Sequence, residues 1–248
     1  MDWNECDGVR WLEAELPGAR AAFTARIGGS SEGAFASLNL GLLTDDDPER
    51  VHANRSAVAG GLGIDPGGIA SGKQVHGADV ARQDSPAEPS AWLLGAEGEP
   101  AEVDGWATSG EGVVPLVFVA DCLPVALAGP RGIAMVHCGW RGLASGIVER
   151  AVREVDARAA AIGPGIGPCC FEVGPEVLDE FSGLGDEIAD GRMLDLPEVA
   201  ERLLGHAGVE RTERSELCTS CEDELFFSHR RDGGVTGRQA GLAWRCPS

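Results

Sequence analysis

Residues 113–138, VVPLVFVADCLPVALAGPRGIAMVHC, contain three short apolar runs, at 116–120, 125–128 and 132–136. Asp, Pro and Gly separate the runs, whose length and composition are typical of strands that are buried on both faces. We therefore expect central strands here. Sheets present reactive groups at the ends of their strands. Cys122 and His137, which lie at such ends, are therefore candidates for a functional site.

Helical patterns lie on both sides of this segment. Asp47 is a suitable N-cap, Pro48 favours the first helical position, and Gly60 marks the end of the predicted helix. Residues 144–157 place apolar side chains at helical spacing, opposite charged ones. The remaining elements are strands at 20–25, 159–162 and 239–244 and helices at 175–181 and 197–207. Together they predict an α/β fold, a layered α-β-α sandwich with a mixed central sheet.

The chain has 248 residues and no linker or repeat that would divide it, so we predict a single domain at 1–248. Residues 83–89 carry two prolines and are expected to form an excursion from the core. No run approaches the roughly 20 apolar residues of a membrane span. Residues 1–16 lack the basic flank and apolar stretch of a secretory signal, which predicts a cytoplasmic protein.

The charge balance argues against nucleic acid as a partner. The chain has 40 acidic and 20 basic residues, a formal net charge of −20, and its acidic residues are spread along the sequence. Such a field repels phosphate backbones, and the sequence has no basic stripe that could bind them. Nothing in the sequence indicates an oligomeric state.

Metal-type ligands stand in three short motifs, QVHG at 74–77, ADCLP at 120–124 and VHCGWRG at 136–142. The eight cysteines of a chain without a secretory signal are expected to be thiols or ligands rather than disulfides. The imidazoles of His76 and His137 and the thiolate of Cys122 suit Zn²⁺. Three protein ligands leave a fourth position for water or substrate, as in catalytic sites. The alternative is that these residues are ordinary buried side chains.

Further motifs occur in the same order along the chain: TARIGGS at 24–30, SLNLG at 37–41, DDP at 46–48, NR at 54–55, IGP at 162–164, PCCFEVG at 168–174 and FFSHRRD at 226–232. With them, residues 22–244 resemble the multicopper polyphenol oxidase, or laccase-domain, family. Members of this family are regarded as purine nucleoside phosphorylases with adenosine deaminase activity. The resemblance implies a fold similar to that of cysteine hydrolases and a zinc ion at His76, Cys122 and His137. It also implies phosphorolysis of adenosine, inosine and 5′-methylthioadenosine.

Copper is the alternative cofactor, because two His and one Cys are also the ligand set of a blue-copper centre. The chain has five histidines and no His-x-His pair, too few to add a trinuclear copper cluster, which argues against a polyphenol oxidase. Cys138 could close the metal site as a fourth ligand. Neighbouring strand residues point to opposite faces, however, so we expect a buried thiol there.

The resemblance implies a purine nucleoside and phosphate as partners. Asp121 could orient a ligand histidine or accept a proton, or it could simply cap a strand end. With Cys122 and His137 it forms the predicted catalytic set. Phosphate requires cationic donors. The predicted substrate-binding residues are Arg26, Gln74, Arg141 and Arg230, with Lys73 and Arg231 as further donors. For many of these cations, ordinary salt bridging is the alternative.

Two other functional interpretations remain open. In a metal-independent hydrolase that edits peptidoglycan precursors, Cys122 would be the nucleophile and His137 the base. In a structural zinc module, a further cysteine would complete four protein ligands. Cys218 and Cys221 have the spacing of a zinc knuckle, but the sequence shows no second such pair, so we interpret them as structural. Cys169 and Cys170 fit a substrate contact and tight packing equally well.

Overall fold

A computed structural model describes residues 1–86 and 100–246. Within them the strands are β1 (Asp2–Cys6), β2 (Val9–Leu16), β3 (Ala19–Thr24), β4 (Ile69–Ala70), β5 (Val80–Arg82), β6 (Gly105–Thr108), β7 (Val114–Val119), β8 (Leu123–Gly129), β9 (Gly132–Cys138), β10 (Ala159–Ile162), β11 (Ala189–Asp190), β12 (Met193–Leu194), β13 (Arg211–Arg214) and β14 (Gln239–Arg245). The α-helices are α1 (Pro48–Leu62), α2 (Trp140–Ala144), α3 (Ile147–Val155), α4 (Pro175–Glu180) and α5 (Leu196–His206).

Two six-stranded mixed sheets form the centre of the fold. The first sheet has the order β1-β2-β3-β14-β7-β4, and the second has the order β13-β10-β8-β9-β6-β5. Neighbouring strands are antiparallel except for β4 with β7, β5 with β6 and β10 with β13, which are parallel. Strands β11 and β12 form a separate small ribbon.

Apolar side chains fill three layers around these sheets. One cluster lies between the sheets and includes Phe23 and Val117 of the first sheet and Met135 of the second. A second cluster packs the other face of the second sheet, with Leu127, against α3 and α5. A third packs the other face of the first sheet against α1, through Val58. Each sheet is therefore buried on both faces, which explains why the central strands are almost continuously apolar.

The predicted mixed α/β fold is confirmed, but its centre contains two sheets where we expected one. The apolar run at 116–120 belongs to the first sheet, whereas those at 125–128 and 132–136 belong to the second. A strand buried on both faces has the same composition whether its neighbour in sequence lies beside it or in the facing sheet. The pattern therefore could not separate the two sheets.

The chain crosses between the sheets at two places that carry predicted ligands. Cys122 lies between β7 of the first sheet and β8 of the second, and His76 lies between β4 of the first and β5 of the second. His137 is the penultimate residue of β9 in the second sheet. The three candidate ligands therefore meet at one end of the paired sheets.

The predicted start of α1 is confirmed by its capping group. The side chain of Asp47 accepts a hydrogen bond from the amide of Glu49 at 2.9 Å, with Pro48 at the first position of α1. The helix continues past Gly60 and ends at Gly63, which adopts the left-handed conformation at φ 64°. In α3 the predicted apolar stripe is buried, as expected for an amphipathic helix on a sheet.

Two further expectations concern the surface. The predicted excursion at 83–89 falls partly outside the described residues, and within them its start follows β5 directly. Across the described part of the chain, no helix combines the length and apolar composition needed to span a bilayer.

Candidate metal centre and its cavity

The structure brings together the three residues that the sequence predicted as metal ligands. Ligand atoms of His76, Cys122 and His137 all lie within 4.8 Å of one another. The two imidazole rings meet edge to face, with centroids 4.9 Å apart and an interplanar angle of 69°. His137 is buried, Cys122 is half-buried and His76 is exposed. We call these three residues the His/Cys/His centre.

Asp104 lies behind this centre and holds both histidines. Its carboxylate is fully buried and lies 2.8 Å from Nδ1 of His137, which must donate because a carboxylate only accepts. The same carboxylate accepts the backbone amides of Val75, His76 and Gly77, at 3.1, 2.9 and 2.7 Å. Asp104 therefore fixes the tautomer of His137, leaving Nε2 free to ligate, and also fixes the turn that carries His76.

Sequence reasoning did not identify Asp104. It directly precedes β6 and stands in no motif that we singled out. The role of orienting a ligand histidine, which we considered for Asp121, belongs to Asp104 in the structure. The carboxylate of Asp121 instead accepts the hydroxyl of Thr219 and the amide of Arg230, each at 2.7 Å.

The close contact between thiol and imidazole shifts the pKa of both groups. Burial alone would raise the pKa of Cys122, but the neighbouring His137 and His76 lower it to about 6. Burial would lower the pKa of His137, but Cys122 and Asp104 raise it to about 9. Hydrogen bonds from His137 and from backbone amides lower the pKa of Asp104 against the effect of its burial. Near neutral pH the metal-free centre therefore contains a thiolate beside an imidazolium.

The backbone at the centre adopts uncommon conformations. His76 has φ 61° and Asp121 has φ 87°, in the region that side chains other than glycine rarely occupy. Gly139 allows a further close approach: a Cβ atom there would lie 2.9 Å from Sγ of Cys122 and 3.3 Å from Cδ2 of His76. A side chain at position 139 would therefore push against both ligands and displace the thiol of Cys122.

The centre lies in the wall of a cavity of about 790 Å³, within the usual size range of small-molecule sites. The aromatic rings of Phe118, Trp140 and Phe171 line it. Of the charged side chains that line it in the described part of the chain, Asp121 is the single carboxylate. The cationic ones are Arg55, Lys73, Arg141, Arg230 and Arg238. In a chain with a net charge of −20, this lining is a local concentration of positive charge.

Three of the four predicted substrate-binding residues line this cavity. Arg141 stacks on Trp140, with its guanidinium 4.3 Å from the ring centroid. Arg230 donates to the carbonyl oxygens of Cys170 and Glu172, at 3.3 and 3.0 Å. Gln74 uses its amide to pair with the backbone of Phe118, donating at 2.8 Å and accepting at 2.7 Å. Gln74 thus joins the crossing segment to β7.

Arg26, the fourth predicted substrate-binding residue, lies outside this lining. It donates to the carbonyl oxygens of Ala36 and Asp223, at 2.7 and 3.0 Å, and its guanidinium stacks on Phe227 at 4.4 Å. Arg231 is likewise occupied, by the carbonyl oxygens of Thr219 and Phe226. Both arginines therefore hold loops together rather than line the cavity.

Two cavity arginines had not been assigned a role from the sequence. Arg55 is buried, donates from Nε to the carbonyl oxygen of Leu40 at 2.9 Å, and has its pKa lowered to about 10 by burial. Arg238 donates to the carbonyl oxygens of Thr236 and Gly237, and burial lowers its pKa as well. Arg55 stands in the NR motif, which could have pointed to it; Arg238 stands in none of the motifs.

Cys138 is a buried thiol, as its place in the strand predicted. It packs in the cluster on the helix side of the second sheet, with Val136, whereas Met135 faces the first sheet. Burial raises the pKa of Cys138 well above that of a free thiol. Cys138 therefore points away from the His/Cys/His centre.

Comparisons with known proteins show which proteins this chain resembles. Residues 20–246 match the family described as "Multi-copper polyphenol oxidoreductase laccase". The chain is 38% identical to the protein named purine nucleoside phosphorylase YlmD of Geobacillus stearothermophilus, over 95% of this chain and 94% of that protein. The crystal structure of YlmD from the same organism superposes with a TM-score of 0.88 at 36% identity and covers 98% of both chains. That of the Bacillus licheniformis protein YfiH gives 0.88 at 32% identity, over 98% of this chain and 99% of the other.

Proposed function

The chain belongs to the multi-copper polyphenol oxidoreductase laccase family, and from this membership we propose that it is a zinc-dependent purine nucleoside phosphorylase that also deaminates adenosine. The relatives that bear the name purine nucleoside phosphorylase support the first activity. The substrates that we propose are adenosine, inosine and 5′-methylthioadenosine, with phosphate as the second substrate.

The donor set of the His/Cys/His centre fits zinc. Two imidazoles and one thiolate lie close enough to share one ion, and Asp104 holds the tautomer in which Nε2 of His137 is available. A zinc ion with three protein ligands supplies Lewis-acid polarisation to the water or substrate atom in its remaining position. Copper fits the same ligands, so the identity of the metal is part of the proposal and is tested below.

The observation that carries the proposal is the charge of the cavity. In phosphorolysis, phosphate attacks C1′ of the ribose, the bond between C1′ and the purine breaks, and the purine leaves with a proton. The products are free purine and ribose 1-phosphate. A dianionic substrate requires cationic donors, and the cavity supplies them beside the His/Cys/His centre. We assign phosphate binding to Arg141 and Arg230, supported by Arg55 and Arg238.

Aromatic side chains and one carboxylate complete the proposed roles. Trp140 and Phe171 line the cavity with an arginine guanidinium over each ring, and we assign purine stacking to this aromatic and guanidinium surface. Deamination replaces the amino group of adenosine with oxygen from water and releases ammonia, so a group must accept and deliver protons. We assign this role to Asp121, the acid in the cavity lining, which Thr219 and the amide of Arg230 hold in place.

The deciding experiment incubates purified, metal-analysed protein with adenosine, with and without phosphate, and separates adenine from inosine by chromatography. We expect adenine only with phosphate, and inosine in both cases. Chelation should abolish both products, and zinc rather than copper should restore them. His76→Ala should abolish both, whereas His206→Ala, a control at the exposed end of α5, should change neither. Zinc-loaded protein that converts no adenosine would contradict the proposal.

One observation favours a second candidate, a metal-independent cysteine hydrolase that acts on peptidoglycan precursors. His137 contacts a carboxylate on one side and a thiol on the other. Its Nδ1 lies 2.8 Å from the carboxylate of Asp104, and its ring also hydrogen-bonds the thiol of Cys122, as in a catalytic triad. Such an enzyme would keep its activity in chelator and lose it to thiol alkylation. Loss of activity in chelator and recovery with zinc would exclude it.

A further inference from the structure

Four cysteines outside the cavity form a second cluster. Cys169 and Cys170 lie in the loop between β10 and α4, and Cys218 and Cys221 lie in the loop after β13. Their four Sγ atoms all lie within 4.8 Å of one another. The sequence showed no second Cys-x-x-Cys pair to match Cys218 and Cys221. In the structure the adjacent Cys169 and Cys170, from another loop, complete the set of four. We call these residues the four-cysteine cluster.

The distances between the sulfur atoms fit a shared metal ion better than a disulfide. Sγ of Cys221 lies 3.4 Å from Sγ of Cys169 and 3.4 Å from Sγ of Cys170. A disulfide requires about 2.05 Å between its sulfur atoms. Four thiolates bound tetrahedrally at about 2.3 Å place their sulfur atoms about 3.8 Å apart. The 3.4 Å separations lie much nearer to that edge length than to the length of a disulfide bond.

Backbone amides point at one of these sulfur atoms. The amide of Gly167 donates to Sγ of Cys218 at 3.2 Å. Amide donors around the first sulfur of a Cys-x-x-Cys turn stabilise a thiolate, the form in which cysteine binds metals. This is an observation independent of the distances.

Local turns aim the remaining thiols at the same point. The amides of Cys170 and Phe171 donate to the carbonyl oxygen of Gly167, at 3.0 and 3.1 Å, and this turn brings both neighbouring cysteines to Cys221. The amide of Cys221 donates to the carbonyl oxygen of Cys218 at 3.1 Å, which closes the second turn. The two loops thus present four sulfur atoms around one point, although Cys169 and Cys221 are 52 residues apart in sequence.

We propose that the four-cysteine cluster binds a second zinc ion, with all four ligands supplied by the protein. Four thiolates leave no position for water or substrate, so the role of this site is structural. The ion would join two loops that also reach the cavity. The hydroxyl of Thr219 donates to Asp121, and Arg230 donates to the carbonyl oxygen of Cys170. A closed site here would therefore help to hold the walls of the cavity.

The test compares zinc content among variants purified under reducing conditions, stripped of metal and titrated with zinc alone. The wild-type chain should bind about two ions. The variant Cys169→Ser/Cys221→Ser, which changes two exposed thiols, should bind about one, as should His76→Ala. The control Cys6→Ser/Cys246→Ser changes two cysteines outside both clusters and should still bind about two. Circular dichroism should be unchanged in all of them.

Cobalt gives a second measurement that does not depend on the folding of the double cysteine variant. In His76→Ala, Co²⁺ should produce the intense visible bands and near-ultraviolet sulfur charge-transfer band of a tetrathiolate site. A cluster that binds no cobalt in this variant would overturn the proposal. Unchanged zinc content in Cys169→Ser/Cys221→Ser would also overturn it, as would a disulfide between cluster cysteines that mass spectrometry finds to persist in protein purified under reducing conditions. None of these results depends on whether the His/Cys/His centre is catalytic.

Discussion

The His/Cys/His centre and the four-cysteine cluster use the same side chain in opposite surroundings. At the first, one thiol meets two imidazoles in the wall of a large cavity, with a buried carboxylate behind one ring. At the second, four thiols from two loops face one another, and backbone amides surround one of them. The neighbours of a cysteine, rather than the cysteine itself, therefore decide which task it can perform.

The two clusters differ most clearly in the protonation of their thiols. Imidazoles lower the pKa of Cys122 to about 6. At Cys221 a hydrogen bond with Cys169 lowers the pKa, but hydrogen bonds with Cys170 and Cys218, together with burial, raise it to about 11. The first centre contains a ready thiolate near neutral pH. The second must release protons from its thiols when an ion binds. The His/Cys/His centre thus has a thiolate ready to bind an ion and a position open to solvent, whereas the four-cysteine cluster binds an ion only as its thiols lose protons.

The largest expected effect is on the pH dependence of zinc affinity, which should differ between the two clusters. Between pH 6 and 9, set by the pKa values of Cys122 and His137, zinc binding to the His/Cys/His centre displaces one proton, from His137. Its affinity should therefore rise about tenfold per pH unit. The four-cysteine cluster should show a steeper slope, because more than one of its thiols is protonated. Chelator competition titrations of His76→Ala and Cys169→Ser/Cys221→Ser measure each slope separately, and equal slopes would contradict the assignment.

The same pKa shifts predict how the stability of the metal-free protein depends on pH. The contribution of His137, whose pKa is raised, is complete below its unfolded value and is lost as the pH rises through about 9. The contribution of Cys122, whose pKa is lowered, is lost as the pH falls through about 6. Between pH 6.5 and 9 these two changes oppose each other, so denaturant unfolding of the stripped protein should show a stability that varies little with pH in this window.

The next largest effect is expected from Asp104, which holds the two histidines of the His/Cys/His centre. Asp104→Asn removes the charge that holds His137 and the turn at His76, so zinc affinity at this centre should fall by about 10- to 100-fold. The control Asp79→Asn changes an exposed carboxylate that pairs with Arg150 and should leave the affinity unchanged. Competition titration measures both variants. The four-cysteine cluster should keep its ion in each, and an unaffected His/Cys/His centre in Asp104→Asn would refute the supporting role.

A smaller effect is expected from crowding the ligands. Gly139→Ala would place a Cβ atom 2.9 Å from Sγ of Cys122, which must then move by a few tenths of an ångström. Since a 1 Å misplacement costs about 100-fold in activity, we expect a loss of roughly tenfold. Gly60→Ala is the matched control, because its new Cβ meets nothing within 4 Å. Nucleoside turnover of the two variants tests this, and equal rates would count against the close packing described above.

The smallest effect on metal binding is expected at Cys138. Cys138→Ala removes a sulfur atom from the core on the helix side of the second sheet and should leave zinc content at both clusters unchanged. The free energy of unfolding should fall by about 1 kcal/mol, the cost of a small apolar truncation. Metal analysis and denaturant unfolding measure the two effects. Loss of one ion would instead show that Cys138 is a ligand. The His/Cys/His centre would then have four protein ligands and no open position.

Local patterns predicted much of the fold. The apolar runs at 116–120, 125–128 and 132–136 are strands, and Asp47 caps α1, because burial and capping are recorded in neighbouring residues. The division of these strands between two sheets was not predictable, since it depends on contacts between distant segments. The single domain at 1–248 stays a prediction.

At the site, the sequence predicted the ligands but not their support. His76, Cys122 and His137 were identified by chemistry and by resemblance, and the structure brings them together. Asp104 was missed because a buried aspartate is recognisable only by its donors, which come from other segments. The pairing of Cys169 and Cys170 with Cys218 and Cys221 was missed for the same reason. Arg26 was expected at the substrate and lies in a loop contact instead.

The chain crosses between the two sheets at the His/Cys/His centre, so the geometry of this centre depends on how the sheets are placed relative to each other. His76 and Cys122 lie on connections that run from the first sheet to the second, and His137 lies on a strand of the second sheet. Sliding of one sheet over the other would change the separation of these three ligands. An ion bound by these three ligands would therefore join the two sheets, and its dissociation rate under hydrostatic pressure would measure how firmly the sheets are held together.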